Sequence, residues 1–129
     1  MIVRTAQTVL LVEDDPALSD MLERYFSARG YQVEAVESEE DAEAILAEGL
    51  RPSVVILDVN LPGQTGWSLL RGTTLSDAGS PPVIVATATP VSSRQLKELA
   101  AAGYLPKPFP LETLRTTVER LLEPASAEA

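Results

Sequence analysis

The sequence predicts an α/β fold, a three-layer sandwich with a parallel sheet at its centre, and three observations carry that prediction. Short unbroken apolar runs at Thr8–Val12, Val54–Leu57 and Val83–Thr87 have the length and β-branched content of strands covered on both faces. Between them lie segments whose apolar residues recur at spacings of three and four, the period of a half-buried helix. Glycine and proline stand where one pattern gives way to the other. Strand and helix so alternate along the chain, and parallel strands need crossovers that place helices on both faces of the sheet.

The first run leads directly into Glu13-Asp14-Asp15, and Pro16 suits a first helical turn with Asp15 as its N-cap. The helix that follows sets Leu18, Met21, Leu22 and Tyr25 on one stripe with Phe26 beside it, and Gly30 stops it. Tyr31–Val36 reads as a more exposed second strand. Ser38 with Asp41 resembles a capping box in which aspartate replaces the usual glutamate or glutamine; the helix it opens turns Ala42, Ile45 and Leu46 inward and closes near Gly49. The third strand, Val54–Leu57, ends on Asp58, after which Val59-Asn60-Leu61-Pro62-Gly63 turns the chain away from the sheet. A short helix is predicted from Gly66 to about Arg71 through Trp67, Leu69 and Leu70, followed by a loop over Gly72–Pro82. The fourth strand closes on the hydroxyl residue Thr87, and Pro90–Ala102 is predicted as an alanine-rich helix with Leu96 and Leu99 inward. Tyr104-Leu105 is a very short fifth strand, which Pro106 confines to an edge. Leu111, Leu114, Val118 and Leu121 are in register on a last helix, Leu111–Leu122. The expected organisation is one domain over residues 8–122, with an extension over 1–7 and a tail or linker stub over 123–129.

The chain of 129 residues has the size of one domain, and its 19 Asp plus Glu against 10 Lys plus Arg give a formal net charge of −9. Tracking a nucleic-acid backbone requires clustered positive charge, so direct nucleic-acid binding is not expected. There is no cysteine and no histidine, which excludes disulfides, thiolate metal sites, cysteine nucleophiles and histidine acid–base machinery. Any metal is then held by oxygen, which favours Mg²⁺ or Mn²⁺ over zinc. No run approaches the roughly 20 apolar residues of a membrane helix, and Met1–Gln7 lacks the apolar stretch of a signal peptide. The cytoplasm is the expected location, with no membrane partner.

The carboxyl ends of parallel strands lie along one edge, where open sheets of this class place their ligands. That edge carries Glu13 and Asp14 after the first strand, Asp58 after the third, Thr87 at the end of the fourth and Lys107 after the fifth. Three carboxylates in a small space repel one another, and a divalent cation relieves the cost. A carboxylate, a hydroxyl, an ammonium and a divalent metal together suit a transferring phosphoryl group: cation and lysine neutralise its oxygens, the hydroxyl donates a hydrogen bond and Asp58 attacks phosphorus. Taken singly, each residue has an ordinary explanation. Asp58 is then a solvated strand end, Glu13–Asp15 an acidic run at a helix N-terminus, Thr87 a β-former, Tyr104 an edge aromatic and Lys107 a solvated lysine. Their joint placement on successive strand ends favours the chemical reading.

Four pieces, LLVEDD, ILDVNLPGQTG, VIVATA and YLPKPF, stand in an order and at a spacing that resembles the receiver domain of bacterial two-component response regulators, similar to the single-domain chemotaxis-type regulators, over roughly Thr8–Leu122. The resemblance implies a flavodoxin-like, doubly wound sheet of five parallel strands in the order 2-1-3-4-5, flanked by five helices. It implies that Asp58 is the phospho-acceptor, forming an acyl phosphate with a phosphoryl group from a histidine kinase or histidine phosphotransfer protein. By the same resemblance Asp14 binds Mg²⁺ directly, Glu13 holds it mostly through water, and Asp58 and the backbone carbonyl of Asn60 complete the set, with Mn²⁺ as a substitute. Lys107 pairs with the phosphoryl group, Thr87 moves to contact it, Tyr104 is the switch aromatic, and the Lys107–Pro108 bond is cis.

The implied activity is Mg²⁺-dependent self-phosphorylation from phosphodonors, with autodephosphorylation, in a signalling phospho-acceptor and not a classical turnover enzyme. The implied output is a downstream protein or a fused domain, engaged by a monomer or by a weak phosphorylation-dependent homodimer. Ala100 departs from the family pattern, where glycine is common before the fifth strand, and so do Pro106 and Leu61. Two alternatives stand beside this reading. A pseudo-receiver keeps the fold as a phosphorylation-independent interaction module. A hydrolase of the haloacid-dehalogenase type carries a second aspartate two residues after the nucleophile, where this chain has Asn60.

Overall fold

The apolar runs pair side by side into one parallel sheet. In the computed structural model, which describes residues 7–59, 81–98 and 100–122, the strands are β1 (Thr8–Val12), β2 (Gln32–Val36), β3 (Val54–Leu57), β4 (Val83–Thr87) and β5 (Gly103–Pro106). Their order is β2-β1-β3-β4-β5, and every neighbouring pair is parallel. The helices among the described residues are α1 (Pro16–Ser27), α2 (Glu39–Ala47), α3 (Ser93–Glu98) and α4 (Leu111–Leu122). The helix expected over Gly66–Arg71 lies outside the described residues.

Side chains on a strand alternate between its faces, and here both faces are covered. Leu10, Val12, Val55, Leu57, Val83 and Val85 form one apolar layer with Ala42 and Leu46 of α2, and Leu96 of α3 packs against it. Val9, Leu11, Val54, Ile56 and Ile84 form the other with Leu22 and Phe26 of α1 and Leu114 and Val118 of α4. This is why the runs are continuously apolar instead of alternating. The edge strands β2 and β5 are partly exposed, and Pro106, without an N–H, sits on an edge where that donor is dispensable.

Local capping follows the sequence. Asp15 accepts from the N–H groups of Ala17 and Leu18 at the start of α1, and Ser38 Oγ accepts from Asp41 N–H at the start of α2. Two expectations need correction. Met21 does not face the core: it is 45% exposed, whereas Phe26 is fully buried. At 100° per residue, the direction midway between Leu22 and Phe26 leaves Met21 about 120° away, so the packing of Phe26 rotates Met21 off the sheet. α3 is also shorter than Pro90–Ala102. Ser92 Oγ accepts from Gln95 N–H and caps its start, and Ala100, with a φ of 54°, turns the chain out of the helix. Leu99 lies outside the described residues.

One buried polar atom yields a test of the packing. The Tyr25 hydroxyl is buried with no hydrogen-bond partner among the described residues, while the Arg29 guanidinium covers its ring at 3.7 Å from the centroid. Tyr25→Phe removes the desolvated hydroxyl and keeps the ring, so stability is expected to rise by about 1 kcal/mol. Urea unfolding would read this as a higher midpoint at unchanged slope.

Candidate functional site

Backbone pairing brings the polar strand ends level with one another. Val12 of β1 pairs with Leu57 of β3, so Glu13 and Asp58 emerge side by side. Asp58 N–H donates to the Val12 carbonyl at 3.0 Å, Glu13 N–H to the Val36 carbonyl at 3.0 Å, and Lys107 N–H to the Thr87 carbonyl at 3.0 Å. Each residue is thus held by the neighbouring strand just as its own strand ends.

The side chains converge on a shared ion pair. Lys107 Nζ lies 2.6 Å from Glu13 Oε1 and 2.8 Å from Asp58 Oδ2. The other Glu13 oxygen accepts from Asp15 N–H at 3.0 Å, which sets the orientation of the carboxylate. Glu13 and Asp58 are only 3% and 5% exposed, and Asp14 is the most open of the three acids. Burial pushes the Glu13 carboxyl above its ordinary 4.5, against the hydrogen bonds from Lys107 and Asp15 N–H. Burial also works against the Lys107 ammonium, but its hydrogen bonds to Asp58 and Glu13 outweigh it and raise the group above 10.5. The two directions agree physically. One ammonium between two buried carboxylates is strongly favoured as the cation, and it compensates neither acid fully.

One carboxylate oxygen from each of Glu13, Asp14 and Asp58 lies within 4.8 Å of the other two, so the three can hold a metal ion. Three carboxylates and one ammonium leave a formal charge of about −2, and the donors are all oxygen. That set fits a hard divalent cation.

The structure brings Glu13, Asp14, Asp58 and Lys107 together. Thr87 is fully buried at the end of β4, and its Oγ accepts from Thr89 N–H at 3.2 Å. Tyr104, on the adjacent β5, is half-buried against the layer that contains Val83 and Val85. The Lys107–Pro108 peptide bond is cis. Asn60 lies outside the described residues. Sequence reasoning missed two features. It did not foresee the direct Glu13–Lys107 contact, between residues 94 apart in the chain. It also missed a hollow of about 420 Å³ whose lining includes Leu18, Met21, Lys107, Pro108, Phe109 and Leu111. The helical period that placed Met21 on an apolar stripe was a signal for it, but periodicity does not separate a core contact from the rim of a surface hollow.

Comparison with known proteins places these features in a family. Residues 9–119 match the profile described as the response regulator receiver domain. Response regulator MprA of Mycobacterium sp. strain KMS is 36% identical over 123 residues, which cover 93% of this chain and 52% of that protein. The chain thus spans about half the length of the curated relatives it matches. Among solved structures, the chemotaxis response regulator CheY4 of Vibrio cholerae is similar with a TM-score of 0.79 and 30% identity, covering 92% of this chain and 100% of that one. The response regulator protein TrrA of Thermotoga maritima, solved in complex with Mg²⁺-BeF, is similar with a TM-score of 0.77 and 28% identity over 90% of this chain and 99% of that one.

Proposed function

The chain belongs to the response regulator receiver domain family, and on that premise we propose that it accepts a phosphoryl group on Asp58 and relays the change to a protein partner. The observation that carries the reading is the Lys107 ammonium shared between Asp58 and Glu13 at the carboxyl edge of the sheet.

Glu13, Asp14 and Asp58 are the side chains that would hold Mg²⁺, with Mn²⁺ as a substitute and the Asn60 carbonyl as a further ligand. Bound there, the cation supplies charge neutralisation for the phosphoryl oxygens. An Asp58 carboxylate oxygen attacks phosphorus; the new O–P bond forms as the N–P bond to the donor histidine breaks, and the electron pair of that bond leaves with the imidazole. Lys107 pairs with a phosphoryl oxygen. Thr87 Oγ accepts from Thr89 N–H, so its own proton is left for donation to the transferred group. Tyr104 sits on the strand next to Thr87, and its inward turn would alter the face made by α3, β5 and α4.

The donor is a histidine kinase or histidine phosphotransfer protein, and the output is a downstream protein or a fused domain, with a weak phosphorylation-dependent homodimer as one route to it. Among the described residues no helix is long and apolar enough to cross a membrane. We place the domain, residues 8–122, in the cytoplasm with its donor. The test is intact-mass measurement after acetyl phosphate treatment of wild type and Asp58→Asn. A wild type that stays unlabelled and also fails to bind beryllofluoride would overturn the reading.

Mg²⁺ is expected to stabilise the phosphate-free chain. At about 100 times its Kd it adds roughly 2.7 kcal/mol, on the order of 10 °C in Tm for a chain of this size, and Asp14→Asn should erase most of the shift. The effect depends on pH. A carboxyl raised by folding, as Glu13 is, contributes stability that is full below pH 4.5 and lost as the pH rises through its raised value. The metal requires the carboxylate, so the Mg²⁺-induced shift should grow across that same window. Thermal scans with and without Mg²⁺ from acid to neutral pH would check both statements.

A further inference from the structure

Three helices end in the same hydrogen-bond pattern, on different residues. In α1, Gly30 N–H donates to Ser27 O at 3.1 Å and Tyr31 N–H to Phe26 O at 3.2 Å; in α2, Gly49 donates to Leu46 at 3.1 Å and Leu50 to Ile45 at 3.2 Å. In α3, Ala100 N–H donates to Lys97 O at 3.1 Å and Ala101 N–H to Leu96 O at 3.0 Å. This paired closure requires one residue in the left-handed region. Gly30 and Gly49 meet it with φ of 93° and 111° and no Cβ, whereas Ala100 takes a φ of 54° with its Cβ crowding the following carbonyl.

The penalty falls on the helix least able to offset it. α3 has 6 residues against 12 in α1 and 9 in α2. α1 buries Leu22 and Phe26 and α2 buries Ala42 and Leu46, but none of the described side chains of α3 is fully buried, and Leu96 is its half-buried anchor. Beyond Ala100 the chain enters β5, an edge strand that pairs with β4 alone.

We propose that Ala100 makes α3 (Ser93–Glu98), with the turn at residues 100–102, a built-in weak point that opens on its own, ahead of global unfolding. Val91, Leu96, Ala101 and Tyr104 pack against the layer that contains Val83 and Val85. Local opening therefore loosens the cover over that side of β4 and frees the flank of Tyr104. The device belongs to the phosphate-free chain and stands whether or not Asp58 accepts phosphate.

Hydrogen exchange of the whole phosphate-free chain, read by NMR or by mass spectrometry of peptides, tests it. In wild type, amides of α3 are expected to exchange at least tenfold faster than the core amides of α1 and α4, with little response to low urea, the mark of a small local opening. Ala100→Gly, which keeps the turn and removes the crowding Cβ, should slow α3 exchange on the order of fivefold. Wild-type α3 amides as slow as those of the core would overturn the proposal, since the segment would then open only with the whole fold. Unchanged α3 exchange in Ala100→Gly would overturn it equally, because the alanine would not be the cause.

Discussion

Asp58→Asn is expected to abolish phosphoryl acceptance outright. After incubation with acetyl phosphate and Mg²⁺, wild type gains the mass of one phosphoryl group and the variant gains none. The substitution keeps the side-chain shape and removes the anionic oxygen that would attack phosphorus in the proposed transfer, and the chain has no cysteine or histidine to act in its place. Loss of label should not arise from loss of fold. Asp58 is 5% exposed and shares one ammonium with Glu13, so a neutral amide relieves carboxylate repulsion while Lys107 keeps Glu13 as a partner. The variant should unfold at a midpoint no lower than wild type without metal and should gain less from Mg²⁺. Label on Asp58→Asn at the wild-type level would move the acceptor to another residue.

Lys107→Met is expected to produce the largest loss of stability. It keeps the apolar stem beside Pro108 and removes the charge, leaving Glu13 and Asp58, at 3% and 5% exposure, without their shared cation. Removing one partner of a buried pair costs ~3–5 kcal/mol. Lys107 itself is 18% exposed, which puts the expected loss near the lower end, about 3 kcal/mol in urea unfolding with a chelator present. Mg²⁺ should restore much of it, because a divalent cation then neutralises the same acids. Labelling by acetyl phosphate should nevertheless stay slow, on the order of 10²-fold below wild type, because a charge-stabilising donor is missing. The pH dependence has a defined sign. A lysine raised above 10.5 by its partners contributes stability that is full below pH 10.5 and lost as the pH climbs through the raised value. Wild type should show a steeper alkaline loss than Lys107→Met, which keeps only the contribution of the Tyr31 hydroxyl, raised above 10.0 by burial. Equal stability of the two proteins in chelator would mean that the pair contributes nothing net.

Much of the fold was legible because its signals are local. Val9 to Val12, Val54 to Leu57 and Val83 to Ala86 are apolar without interruption because both faces of their strands are covered. Asp15 and Ser38 announce helix starts through the bonds their own side chains make to nearby N–H groups. The position of Asp58 at the end of a central strand follows from the same local pattern, with Asn60 and the segment after it lying outside the described residues. The course of α1 was less legible. Met21 fits the helical period as well as Leu22 does, yet only Leu22 is buried, and the difference lies in how the helix is rotated on the sheet.

The sequence by itself determined the alternation of elements, the covered parallel sheet and the gathering of Glu13, Asp14, Asp58, Thr87 and Lys107 at one edge, because strand ends are placed by short-range pattern and parallel pairing alone. Tertiary structure decided which of those groups touch. Lys107 reaches Glu13 as well as Asp58 because strand register and the turn after β5 bring residues 94 positions apart to 2.6 Å, a distance that no spacing in the chain encodes. It also decided that Met21 borders a hollow and that Ala100 takes a left-handed turn. Those outcomes depend on how whole elements settle against one another, where side-chain volume and packing outweigh local preference.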